Sequence, residues 1–123
     1  MHRVAIPSVP VSGSVEPFMV HRIYCVGRNF AEHAREMGVP VPTDRGTPVF
    51  FMKPADAVVP NDSVIPYPRG TPDLHHEVEL VVALGAGSAG IVEAADALEL
   101  VFGYSVGIDL TRRDLQAHAK AKG

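Results

Sequence analysis

Glu77, Val78 and Glu79 open a strongly apolar run, Leu80-Val81-Val82-Ala83-Leu84. Side chains alternate along a strand, so both carboxylates fall on one face. Two like charges held side by side at the mouth of an apolar strand repel each other unless an ion neutralises them or water solvates them. A divalent cation does the first, and all-oxygen donors select a hard ion such as Mg²⁺, Mn²⁺ or Ca²⁺. The second is the plainer arrangement, with the pair facing solvent from a half-buried sheet. Asp109 ends a second apolar run just before a helix start, which adds to the metal reading. Taken alone, it reads as a carboxylate at a helix N-terminus.

His33 and Glu36 are the second pair, three residues apart on a predicted helix and therefore neighbours on its surface. A carboxylate one turn from an imidazole fixes its tautomer and raises its basicity, as a general base requires. A surface helix also carries such pairs by chance. His75 and His76 are adjacent, so on a strand they point to opposite faces and do not share one ion. Arg28, Lys53, Arg112 and Arg113 lie near turns or strand ends, where they suit carboxylate recognition or plain solvation. Cys25 sits inside an apolar strand and reads as a small core residue. Residues 85–90 (GAGSAG) lack both the Gly-Lys-Ser/Thr ending of a phosphate loop and the spacing of a dinucleotide fingerprint.

These side chains need elements to place them. Residues 1–19, with three prolines, are expected as an extended arm able to form an edge strand, and residues 20–123 as one domain. His21–Val26 has the β-branched and aromatic content of a strand and stops at Gly27. Asn29 caps a predicted helix over Phe30–Met37, with Gly38 at its C-terminal end. Val49–Met52 is a short strand halted by Lys53-Pro54, and Val64-Ile65 a further extended piece. A long strand is predicted over His76–Leu84, a helical turn or two over Ala94–Leu100, and a strand over Val101–Ile108. The glycines of that last strand, Gly103 and Gly107, signal a bulge or a close backbone approach. Thr111 is expected to cap a final helix through Lys122.

Composition sets the outer bounds. At 123 residues the chain has room for one domain, and 46% apolar content excludes wholesale disorder. A net charge of −3 argues against a general nucleic-acid binder. No apolar run reaches the roughly 20 residues that span a bilayer, and the N-terminus has no signal-peptide pattern, so no membrane partner is expected. One cysteine allows no internal disulfide and fits a reducing cytoplasm. All eleven prolines lie at or before Pro72, so the front of the chain is broken into short strands and ordered loops.

Four blocks taken together resemble the fumarylacetoacetate hydrolase family: residues 23–33 (IYCVGRNFAEH), 50–54 (FFMKP), 75–80 (HHEVEL) and 103–116 (GYSVGIDLTRRDLQ). They run in the family's order and cover roughly residues 20–123. The resemblance implies a mainly β, α+β fold, a mixed β-sheet roll or sandwich with short helices, in a homodimer. It implies Mg²⁺ or Mn²⁺ held by Glu77, Glu79 and Asp109, with His33 and Glu36 on a lid helix that closes over substrate. Arg113 and Gln116 match the family's substrate-contacting pair, and Arg28 and Lys53 fall in blocks near the site. The implied activity is hydrolysis of a carbon–carbon bond in an acylpyruvate, a small 2-keto acid, most like fumarylpyruvate cleaved to fumarate and pyruvate. Oxaloacetate decarboxylation, or isomerisation of a related 2-keto acid, uses the same kind of site. Family members continue well beyond Gly123, supplying a further site lysine and more of the core. The expectation is that these 123 residues need that second half to be competent, or are an inactive fragment of the family.

Overall fold

The computed structural model describes residues 6–27, 29 and 47–122. The predicted helix over residues 30–37, and with it Arg28, His33 and Glu36, lies outside the described residues. The chain divides into two compact units, Met1–Val64 and Ile65–Gly123.

In the first unit, the segment expected as an extended arm folds on itself. Strands β1 (Ser8–Val9) and β2 (Phe18–Met19) pair antiparallel, and the Val20 amide adds a bond to the Pro7 carbonyl at 2.8 Å. Strand β3 (Ile23–Gly27) pairs antiparallel with β4 (Val49–Lys53), running from Ile23 opposite Lys53 to Gly27 opposite Val49. Pro54 ends β4 because it cannot donate to a ladder, and a single 3₁₀ turn follows over Ala55–Ala57. Asn61-Asp62 makes a turn, with Asp62 in the left-handed region at φ 61°. Val64-Ile65, expected as an extended piece, belongs to no strand among the described residues.

The second unit is one long hairpin with a helix at its open end. Strand β5 (Leu74–Leu84) and strand β6 (Val101–Arg112) pair antiparallel over nearly their full length, with one irregularity between Ala83 and Leu84. The connection holds the glycine-rich loop and a 3₁₀ turn over Ala97–Leu100, where a helical turn or two was predicted. Helix α1 (Arg113–Lys122) follows β6 without an intervening loop. Thr111 is therefore a strand residue and not the expected helix cap, and Asp109 lies inside β6 rather than at its end.

Pairing fixes which residues share a face. Directly opposed residues of an antiparallel pair project to the same side. One side carries His75, Glu77, Glu79 and Val81 from β5 against Thr111, Asp109, Gly107 and Ser105 from β6. The other carries Val78, Leu80 and Val82 against Ile108, Val106 and Tyr104. The chemical side is the more covered: Glu77, Glu79, Asp109, Gly107 and Thr111 are half-buried, whereas Leu80 is 65% and Val106 72% exposed. Among the described residues no large side chain is fully buried, and Thr71 is the one buried polar residue. Among the described residues the regular elements are mostly strands with few short helices, and no helix is long and apolar enough to cross a membrane.

Candidate metal and carboxylate site

The period-2 spacing of Glu77 and Glu79 survives in β5, and both fall on the half-buried face. Asp109 stands directly across from Glu77, and Gly107 directly across from Glu79. A Cβ on Gly107 would lie 2.8 Å from Val81 Cγ2, so glycine lets the strands close beside the carboxylates. The predicted bulge is absent there; the close approach is present.

Glu77 is engaged at both carboxylate oxygens. Its Oε2 accepts a hydrogen bond from the Thr111 hydroxyl at 2.8 Å. Its Oε1 is ion-paired with Arg113 Nη2, and both side chains are about one-fifth exposed, at 20% and 19%. Arg113 also donates from Nη1 to Gln116 Oε1 at 2.7 Å and from Nε to His75 Nδ1 at 3.4 Å. His75 Nε2 meets Asp73 Oδ1 at 3.0 Å. Lys120 Nζ reaches Gln116 Oε1 from the next helical turn at 3.3 Å.

The helix that carries Arg113 and Gln116 is tied to the start of β5. The Arg113 amide donates to the Asp73 carbonyl at 2.9 Å, and Arg112 Nη2 to the Arg69 carbonyl at 3.1 Å. The Thr71 hydroxyl donates to Asp114 Oδ1, which holds the Asp114 carboxyl below its ordinary value against a smaller upward push from burial. Backbone amides of Leu115 and Asp114 and the charge of Arg112 act in the same downward direction. These ties set where the guanidinium sits relative to Glu77.

The donor set fits a hard divalent cation: three carboxylates on one face, two on one strand and one opposite. Among the described residues no three His, Cys, Asp or Glu side chains are already gathered around one point. Glu77 and Asp109 are directly opposed, a placement that sets Cβ atoms about 5 Å apart, whereas Glu79 is diagonal to Asp109 at about 7–8 Å. Of the side chains expected to meet substrate, Arg113 contacts Glu77 directly and Gln116 contacts Arg113; Lys53 is the last residue of β4 in the first unit. His75, Asp73 and Thr111 were missed as members of the network. The parity of residues 75, 77 and 79 carried the signal for His75, and it was masked by treating His75 and His76 as a pair.

The β5–β6 hairpin thus carries three acidic groups on one face beside an arginine-led helix. Residues 22–123 match the family model described as fumarylacetoacetate hydrolase C-terminal, and the chain belongs to that family. It is similar to a fumarylpyruvate hydrolase from Pseudomonas aeruginosa crystallised with Mn²⁺ and pyruvate. The two share 47% identity with a TM-score of 0.87, over 100% of this chain and 53% of that one. It is also similar to the mitochondrial oxaloacetate tautomerase FAHD1 of Homo sapiens (46% identity over 101 residues) and of Arabidopsis thaliana (43% over 102). Those matches cover 82% and 83% of this chain and 44% of each relative, so the chain spans about half the length of the relatives it matches.

Proposed function

We propose that this chain supplies the metal and carboxylate-recognition face of a divalent-metal-dependent hydrolase that cleaves a carbon–carbon bond in an acylpyruvate. Fumarylpyruvate, cleaved by water to fumarate and pyruvate, is the leading substrate. The observation that carries the reading is the placement of Glu77, Glu79 and Asp109 on one hairpin face with Arg113 and Gln116 at its end. Likeness over the whole chain to an enzyme captured with Mn²⁺ and pyruvate supports the substrate class.

Glu77, Glu79 and Asp109 would hold Mg²⁺ or Mn²⁺, whose Lewis acidity polarises a 2-keto acid and stabilises negative charge developing on its oxygen. Arg113 presents a planar fork suited to a substrate carboxylate, and Gln116 holds one arm of that fork. His33, with Glu36 three residues further along the sequence, takes a proton from the attacking water. Arg28 and Lys53 add positive charge for an acidic acyl tail. A homodimer completed by the segment that longer relatives carry, working in the cytoplasm, is the assembly proposed.

A second reading, keto–enol interconversion of oxaloacetate, is favoured by the FAHD1 relatives. It needs the same 2-keto-acid site and no attacking water. The test is to assay the chain alone and with the C-terminal half of the Pseudomonas aeruginosa enzyme supplied in trans, with Mn²⁺ and then EDTA. The expected result is metal-dependent release of fumarate and pyruvate in equal amounts once the second half is present. Acceleration of oxaloacetate interconversion without fumarylpyruvate cleavage would replace the first reading with the second.

A further inference from the structure

His75 belongs to no part of the mechanism above, yet it closes a ring of contacts around Arg113. The Arg113 amide donates to the Asp73 carbonyl at 2.9 Å, the Asp73 carboxylate meets His75 Nε2 at 3.0 Å, and His75 Nδ1 receives Arg113 Nε at 3.4 Å. A guanidinium has no lone pair to give, so Nδ1 is the acceptor and the ring proton sits on Nε2, facing the carboxylate. Asp73 thus fixes the tautomer, and the tautomer fixes the arginine. With Nη1 on Gln116 and Nη2 on Glu77, all three guanidinium nitrogens are engaged. Of the five N–H groups of an arginine, this leaves one on each terminal nitrogen. His75 also lines a shallow open hollow with Asp73, Leu74 and His76, so the ring borders solvent-accessible space.

We propose that His75, oriented by Asp73, is a positioning residue that sets the plane of the Arg113 guanidinium so that its two spare N–H groups meet a substrate carboxylate. The proposal rests on the reading of Arg113 as the carboxylate-binding group. His75 holds Arg113 and takes no part in metal ligation or proton transfer. Removing it lets the fork rotate about Cδ–Nε, and carboxylate binding weakens while the chemical step does not.

The first measurement is nitrogen-15 NMR of the 123-residue chain, following the Arg113 Nε–H resonance identified by its loss in Arg113→Lys. His75→Leu is expected to move that resonance to the position of a free arginine side chain and to speed its exchange about tenfold or more. His75→Asn, whose Oδ1 falls near the place of Nδ1, is expected to restore most of the shift. A resonance unchanged in His75→Leu overturns the proposal. The second measurement uses the enzyme completed in trans. His75→Leu is expected to raise KM about three- to tenfold, the size of one partly exposed charge-assisted hydrogen bond, with kcat and Mn²⁺ affinity within about twofold. A fall in Mn²⁺ affinity of about tenfold makes His75 a ligand, and a collapse of kcat at constant KM makes it an acid–base group; either refutes the proposal. If the completed wild-type enzyme leaves acylpyruvates untouched, the substrate reading fails, and the Arg113 resonance still decides the role of His75.

Discussion

The ion pair between Arg113 and Glu77 joins helix α1 to strand β5, and its worth can be isolated with a double-mutant cycle. Each side chain is about four-fifths covered, at 19% and 20% exposure. That places the pair between exposed pairs, worth about 0–1 kcal/mol, and fully buried ones, whose breaking costs about 3–5 kcal/mol. A coupling of about 1–2 kcal/mol is expected. Arg113→Met removes donors to Glu77, Gln116 and His75 together and is expected to cost about 2–3 kcal/mol. Glu77→Gln keeps the shape and the acceptor facing Thr111 while discarding the charge, at a cost of about 1–2 kcal/mol. The double variant should lose less than the two single losses combined, by the coupling energy. Urea unfolding in EDTA reads the four stabilities without metal, and each kcal/mol corresponds to about 3–5 °C in Tm for a chain of this size. A coupling below about 0.3 kcal/mol means the two losses are independent. In that event the pair does not fix the helix, and the geometric account of Arg113 falls with it.

Three further outcomes follow from the same geometry. Gly107→Ala puts a methyl 2.8 Å from Val81 Cγ2; it is expected to destabilise by about 1 kcal/mol in urea titration, with Val81→Ala in the same chain recovering the loss. Asp114 is held ionised by the Thr71 hydroxyl, so its contribution to stability is present above the ordinary carboxylate pKa and is lost as pH falls through the lowered value. Thr71→Val is expected to raise the Asp114 pKa in an NMR titration and to flatten the acid limb of the stability curve; an unmoved pKa contradicts the assignment. Glu79→Gln and Asp109→Asn are each expected to weaken Mn²⁺ binding about tenfold or more by isothermal titration, and unchanged affinity would remove that residue from the ligand set.

Much of this face was legible because strand parity is a local property. Glu77 and Glu79 are two apart, and no tertiary event short of a bulge separates them. Strands β3 and β4 were legible for a similar reason: β-branched and aromatic runs are stopped by Gly27 in one case and Pro54 in the other. The pairing of β5 with β6 was not legible, because it spans a sixteen-residue connection (85–100) and nothing local specifies which strands meet. Thr111 shows the ambiguity of a hydroxyl before a helix, since the same residue serves a cap or a strand end. The ladder with His75 made it a strand residue, and its hydroxyl went to Glu77. Asp73 and His75 were invisible as a unit because their link to Arg113 exists only once β6 pairs with β5 and brings the first residue of helix α1 beside the start of β5.

The two-sidedness of the β5–β6 hairpin also dictates what kinds of heritable change it can absorb. Replacing one residue alters one side at one point, and the opposite side is untouched. Inserting or deleting a single residue between Glu77 and Leu84 is a different event. Every β5 residue between the lesion and the turn would exchange sides against its partners on β6, residues 101–108. Lineages descended from this chain should therefore differ freely in length in the loop over residues 85–96, and hold the residue count fixed within the paired strands. Length conservation there would record the geometry even after most side chains had changed.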